Sequence, residues 1–260
     1  MAKQAGTATN TWCEPERSAL TPVAGLQLEA RYNAGRTGGD FYDAVVVGSR
    51  VAFLLSDIAG RRAETHPIAA IAQKTFRATA RDLFGPEGAN LMDATALLVQ
   101  AINAALFRAA GGIRFAPTFV GCYDAPLGLI AYINAGGQTA ILRDSDGTRM
   151  LPNVSMPMGL FTHLTYEPSI MAFEPGARLV VVTKGVTEQR RGRRTFGPEG
   201  VRHIVEHTTT NSAADLCTQT LKAATDFALP PWYRRGPLAR THSANLDDLT
   251  VFVAARPLQA

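Results

Sequence analysis

The sequence predicts an α+β domain with helices packed on antiparallel sheets. Three observations carry this. Short, turn-bounded strand patterns come in runs. Two pairs of helical stripes stand between those runs. The regular strand–helix alternation that a doubly wound parallel sheet requires is missing.

The elements follow from local patterns. Residues 1–20 lack periodicity and are expected to be a flexible tail. From Leu26, apolar Leu26, Leu28, Ala30 and Tyr32 alternate with Gln27, Glu29, Arg31 and Asn33, a half-buried strand. Phe41–Val47 and Val51–Ser56 are apolar runs parted by Gly48-Ser49, a hairpin signal. Pro67 suits a first helical turn, and Ile68, Ile71, Ala72 and Phe76 carry the stripe to about Leu83. A second stripe runs from Leu91 to Ala105 and ends at Gly111-Gly112.

Strands are predicted again at Thr118–Tyr123, Gly128–Asn134 and Ala140–Arg143, with a tight turn at Asp146-Gly147 leading to Met150-Leu151. Arg178–Val182 is a further strand, Pro198–Glu206 and Ala213–Phe227 are helices, and Leu249–Ala254 closes as a strand. No repeat or internal linker appears, so one domain is expected over about residues 21–256.

Composition narrows the class. In 260 residues, 46% are hydrophobic and 18% charged, an ordinary globular balance that excludes disorder throughout. The longest apolar runs fall short of the ~20 residues of a spanning helix, so no membrane association is expected. The N-terminus has no secretory pattern, and three distant cysteines (Cys13, Cys122, Cys217) form neither a disulfide framework nor a zinc site. A reducing cytoplasm is the expected compartment. Formal charge is +4, with 22 arginines to four lysines. The cluster Arg190, Arg191, Arg193, Arg194 reads either as a solvated loop or as an anion-binding rim. No nucleic-acid module accompanies it, so nucleic-acid binding is not expected.

Acids recur next to apolar strands. Asp40 and Asp43 lie in Gly38–Asp43, Asp57 ends the run Val51–Ser56, and Asp247 and Asp248 precede the last strand. Each is read as a carboxylate at the mouth of a strand, where its desolvation needs compensation. Either these are turn residues, or hard divalent cations supply that compensation.

The words around these acids resemble the metal-dependent PPM-type protein serine/threonine phosphatases, in their SpoIIE/RsbU-like branch. GGDFYD (Gly38–Asp43), SDIAG (Ser56–Gly60), YINAGG (Tyr132–Gly137), MPMGL (Met156–Leu160), TKGVTE (Thr183–Glu188) and LDDLTV (Leu246–Val251) occur in the family's order. The resemblance implies a four-layer α-β-β-α sandwich, two antiparallel sheets flanked by helix pairs. It implies one or two Mn²⁺ or Mg²⁺ ions held by Asp40, Asp57, the Ile58 carbonyl and Asp247. A metal-activated water would then attack phosphoserine or phosphothreonine on a regulatory protein, such as an anti-sigma-factor antagonist.

Four places depart from the pattern. Lys184 stands where the family has an aspartate ligand of the second metal. A unit-charge pair at ~4 Å and effective dielectric ~20 is worth about 4 kcal/mol, so the second metal is expected to be weakened. Lys184 either holds phosphate as a point charge or snorkels into solvent. Arg61–His66 is expected to be a lengthened loop, Gly137 replaces a histidine, and 230–244 forms a Pro/Arg-rich insertion. Arg36, four residues before Asp40, is a second phosphate-binding candidate. The alternative to an enzyme is a catalytically reduced relative that binds a phosphoprotein.

Overall fold

A computed structural model describes residues 20, 25–35, 38–153, 155–229 and 247–258. The elements begin with β1 (Gln27–Asn33), β2 (Asp40–Val47), β3 (Arg50–Asp57), α1 (Arg62–Phe84) and α2 (Leu91–Ala110). They continue with β4 (Thr118–Asp124), β5 (Leu129–Ala135), β6 (Thr139–Asp144), β7 (Gly147–Met150), β8 (Ser169–Ala172) and β9 (Arg178–Val182). The last are α3 (Lys184–Thr187), β10 (Arg190–Arg191), β11 (Arg194–Thr195), α4 (Gly197–His207), α5 (Ala213–Ala228) and β12 (Leu249–Ala255).

Two five-stranded antiparallel sheets result, in the orders β2-β3-β4-β5-β8 and β1-β12-β9-β6-β7. Period-two alternation sends each strand's side chains to opposite faces. On β3, Val51, Phe53 and Leu55 enter the core between the sheets, while Ala52 and Leu54 pack under α1 and α2. On β12, Phe252 and Ala254 face the centre, and Val251, Val253 and Ala255 pack against α5. Both faces of these strands are buried, which is why the sequence reads as apolar runs there. The layers are therefore α-β-β-α, as the resemblance implied.

Helix ends obey local chemistry. Asn90 caps α2 by accepting from the Met92 and Asp93 N–H groups, and Gly111 closes it in the left-handed region. Ser212 caps α5 through the Asp215 N–H. By length and composition α2 is, among the described residues, the one helix apolar enough to cross a membrane. Here its stripe of Leu98, Val99, Ile102 and Leu106 lies in the core beneath the sheet. Cys122 and Cys217 are buried and unpaired, and burial pushes both thiols up.

The structure corrects several sequence expectations. Arg61–His66 is not a lengthened loop: α1 begins at Arg62 and Pro67 lies inside it. An interior proline costs about 3 kcal/mol. That start is secured by the Arg61 N–H bond to Glu64 Oε2 (3.3 Å), and by the Thr65 hydroxyl donating to the Gly38 carbonyl (2.9 Å). The β6–β7 turn is centred on Ser145-Asp146, because Asp144 pairs with Gly147. The sequence pattern does not predict strand β8, helix α3 or strands β10 and β11; each of these is four residues or fewer. The tail expected over 1–20 and the 230–244 insertion lie outside the described residues, apart from Leu20.

Phe53 holds the centre. It is fully buried and stacks on Phe119 (6.4 Å) and Phe252 (5.4 Å), joining the two sheets. Phe53→Ala is expected to cost about 3–5 kcal/mol. Thermal unfolding followed by circular dichroism should show Tm lower by roughly 10 °C.

Candidate active site

The site lies where the β2–β3 hairpin opens. Antiparallel register places Asp40, the first residue of β2, opposite Asp57, the last of β3. Directly opposed residues have Cα atoms about 4.5–5.5 Å apart, so the two carboxyls share one small volume. The backbone after Asp57 is pinned on both sides. The Asp57 N–H donates to the Pro117 carbonyl (3.0 Å) and the Ile58 N–H to the Gly39 carbonyl (3.2 Å). Gly39 is required here, because a Cβ would lie 2.4 Å from the Ile58 carbonyl oxygen.

The opposite sheet supplies hydroxyls. Thr183, just past β9, and Thr250, in β12, both donate to Asp40 Oδ2, at 2.7 and 2.6 Å. The Thr250 N–H donates in turn to the Thr183 hydroxyl oxygen (3.1 Å), which commits that hydroxyl's own proton to Asp40. These threonines were not singled out from sequence. The signal was present, since each lies inside a quoted motif at a strand end.

Asp247 completes the acidic group, and Gly185 makes room for it. A Cβ on Gly185 would lie 3.4 Å from Asp247 Cβ and 2.0 Å from the Asp248 carbonyl oxygen. Electrostatics register the crowding. Burial and then the Asp57 charge hold the Asp40 carboxyl well above its usual range, against the Thr250 and Thr183 hydrogen bonds. Asp57 is pushed up to about 6, first by burial and then by the Asp247 charge, while a hydrogen bond from Asp40 opposes the rise. The sequence-predicted trio Asp40, Asp57 and Asp247 is thus one interacting set.

Two other acids behave differently. Asp43 is not at a strand mouth: it is the fourth residue of β2 and pairs with Arg77 of α1 (2.6 Å). Its burial is compensated by a guanidinium. Asp248 accepts from Arg62 of α1 (2.6 Å) and from the Gly35 N–H (2.7 Å). Its carboxylate fills the space beside Gly38, where a Cβ would lie 2.1 Å from Asp248 Cγ. The Arg61–His66 segment therefore does reach this end of the molecule, but through Arg62. Glu64 pairs with Arg114 (2.7 Å).

Lys184 opens α3, and its charge is felt at Asp57. Its ammonium is turned to Glu188 Oε1 (3.4 Å), and the side chain is 66% exposed. Most of the repulsion expected from a lysine at this position is therefore screened. Gly137 is in the left-handed region (φ 83°), beside Gln138, whose side chain donates to the Pro117 carbonyl (3.0 Å). Arg36 lies outside the described residues.

Among the described residues, no three Asp, Glu, His or Cys side chains are already drawn to one point at metal-ligand distance. The donor chemistry nonetheless fits a hard divalent cation. Asp40, Asp57 and the Ile58 carbonyl are oxygen donors on adjoining strand ends, and burial, followed by neighbouring carboxylates, holds both acids above their usual range against their hydrogen bonds.

Comparison with known proteins agrees with this architecture. The family model for stage II sporulation protein E (SpoIIE) matches residues 48–257. Protein IcfG of Synechocystis sp. is 26% identical over 213 residues, 72% of this chain but 33% of that protein. The chain thus spans about a third of that relative's length. The RsbU and RsbW domains of Rv1364c from Mycobacterium tuberculosis superpose with TM-score 0.69, at 20% identity over 91% of this chain and 61% of that one. The PP2C phosphatase domain of SpoIIE from Bacillus subtilis, with a fragment of its regulatory domain, gives 0.67 at 15% identity, over 88% and 63%. RsbX in complex with magnesium gives 0.61 at 12% identity, over 90% and 97%.

The contrast between Asp43 and Asp40 is testable. Asp43→Ala removes the buried carboxylate that faces the half-buried Arg77 and is expected to cost about 2–3 kcal/mol. Its Mn²⁺ affinity should stay within twofold of the native protein. Asp40→Asn should do the opposite, with little loss of Tm and Mn²⁺ affinity at least tenfold weaker. Calorimetric titration with thermal melts of the same samples reads both.

Proposed function

The chain belongs to the SpoIIE family, and from that premise we propose that it is a Mn²⁺- or Mg²⁺-dependent phosphatase of phosphoserine or phosphothreonine on a regulatory protein, with a weakened second metal site. The observation that carries this is the convergence of Asp40, Asp57 and Asp247 at the end of a sandwich shared with PP2C phosphatase domains. Buried acids set against one another destabilise a fold unless something compensates them.

In this reading Asp57, the Ile58 carbonyl and Asp40 hold one cation, and Asp247 takes part in a second, weaker site. A bound cation would supply an acidified water as nucleophile and neutralise charge on the phosphoryl oxygens. Thr183 and Thr250 orient Asp40 by holding one of its oxygens, leaving the other to face Asp57. Arg62 and Gly35 fix Asp248, and through the chain the neighbouring Asp247. Arg36 and Lys184 remain the candidates for holding phosphate, Lys184 by swinging from Glu188. The likeness to the RsbU and RsbW domains of Rv1364c supports a phosphorylated regulator, such as an anti-sigma-factor antagonist, as substrate. Unpaired, buried Cys122 and Cys217 support a reducing cytoplasmic setting.

A catalytically reduced phosphoprotein binder is the second reading, and Lys184 is the residue that favours it. One experiment separates them: Mn²⁺ titration by calorimetry together with aryl phosphate hydrolysis. The native protein is expected to bind Mn²⁺ and turn over slowly. Asp57→Asn should lose activity at least 100-fold. Lys184→Asp should tighten metal binding at least tenfold and raise the rate. Turnover confined to Lys184→Asp would favour the binder. Absence of Mn²⁺ binding in both proteins would remove the phosphatase reading.

A further inference from the structure

We propose that the hairpin β10–β11 is a docking arm for an acidic segment of the protein substrate, next to the phosphorylated residue. This rests on the phosphatase reading and adds to it a rule for substrate choice.

The placement comes first. Gln189, the residue before β10, is buried, and its side chain donates to the Gly185 carbonyl (2.9 Å). Gly185 in turn abuts Asp247 and the Asp248 backbone. The Phe196 N–H donates to the Gln189 carbonyl (2.8 Å) and closes the base of the hairpin. The arm is thus fastened to the wall of the acidic site, not hung on a free loop. Arg190 is the next residue along the chain. It is the fifth residue beyond Gly185, which limits its Cα to about 17 Å from that point even if fully extended.

The charge comes second. Arg190, Arg191, Arg193 and Arg194 are all exposed, on a turn made by Gly192 in the left-handed region (φ 64°). Cross-strand pairing sets Arg191 directly opposite Arg194. Like charges opposed on adjacent strands are destabilising. No ion pair to these four arginines is found among the described residues. One of the four has a structural role: the Arg191 guanidinium lies over the Phe227 ring, 4.7 Å from its centroid, and ties the arm to α5. The other three are exposed and grouped, and none forms an ion pair among the described residues.

The chemistry of the partner follows. Guanidinium forks pair with carboxylates and phosphates in planar, two-point geometry. Three of them on one short hairpin present a concentrated positive field that attracts an acidic chain and gains strength at low salt. Nucleic acid would satisfy the same charges. The Phe227 ring beside the arm is covered by Arg191, however, so among the described residues it offers bases no open stacking face. An acidic polypeptide needs none.

The test uses the full chain and a triple variant, Arg190→Gln, Arg193→Gln and Arg194→Gln, which keeps Arg191 on Phe227. Substrates are an aryl phosphate and two phosphoserine peptides, one flanked by Asp and Glu and one by Gln and Ser. The native protein should hydrolyse the acidic peptide with kcat/KM at least tenfold above the neutral one. The variant should lose that preference, as should the native protein at 0.5 M salt. Aryl phosphate hydrolysis should stay within twofold. Fluorescence anisotropy with the unphosphorylated acidic peptide reads docking without turnover, so it decides the matter even for a protein that lacks activity. Equal binding of acidic and neutral peptides would overturn the proposal. So would tighter binding of a single-stranded oligonucleotide than of the acidic peptide, lost in the same variant.

Discussion

Two hydroxyl–carboxylate bonds across the sandwich organise the rest of the molecule's chemistry. Asp40 belongs to one sheet, while Thr250 belongs to the other and Thr183 directly follows its strand β9, and both threonines donate to the same oxygen. The sheets elsewhere meet through apolar side chains such as Phe53 and Phe252, which do not specify register to a fraction of an ångström. The hydrogen bonds do. They bring the end of β2 against the ends of β9 and β12, and that is how Asp247 comes into electrostatic reach of Asp57.

The surrounding contacts serve to keep this corner from relaxing. Arg62 reaches from the first turn of α1 to Asp248, and Thr65 donates to the Gly38 carbonyl. Helix α1 is therefore fastened to the loop before β2 and to the residue before β12 at once. Glycines at 38, 39 and 185 are needed because the backbone there runs against Asp248 and Ile58 with no space for a Cβ.

Lys184 shows how position and orientation differ. By sequence it stands at a ligand position, and a lysine held there beside a dication would be strongly unfavourable. In the fold its stem leaves along α3 and its ammonium meets Glu188 in solvent. In the proposed reading the site loses one carboxylate's attraction, with little added repulsion. A basic side chain that can turn in or out, and an arginine hairpin three residues beyond α3, leave the acidic corner bordered by positive charge on that side.

Much was legible in the residues alone. Apolar runs and their turn formers located the main stretches of thirteen of the seventeen strands and helices among the described residues, because burial on one or both faces imprints a period that needs no partner to be read. The acids at 40, 57 and 247 could be singled out by type and by their neighbours. Tertiary structure decided which acids act together. Asp43 and Asp40 look alike in sequence, yet strand alternation sends Asp43 to Arg77 on α1 and leaves Asp40 facing Asp57. The roles of Thr183, Thr250 and Arg62, and the helical start before Pro67, rest on partners up to 210 residues away along the chain. A local pattern records which residues must be buried. It does not record what they meet there, since that is set by register and packing between distant segments.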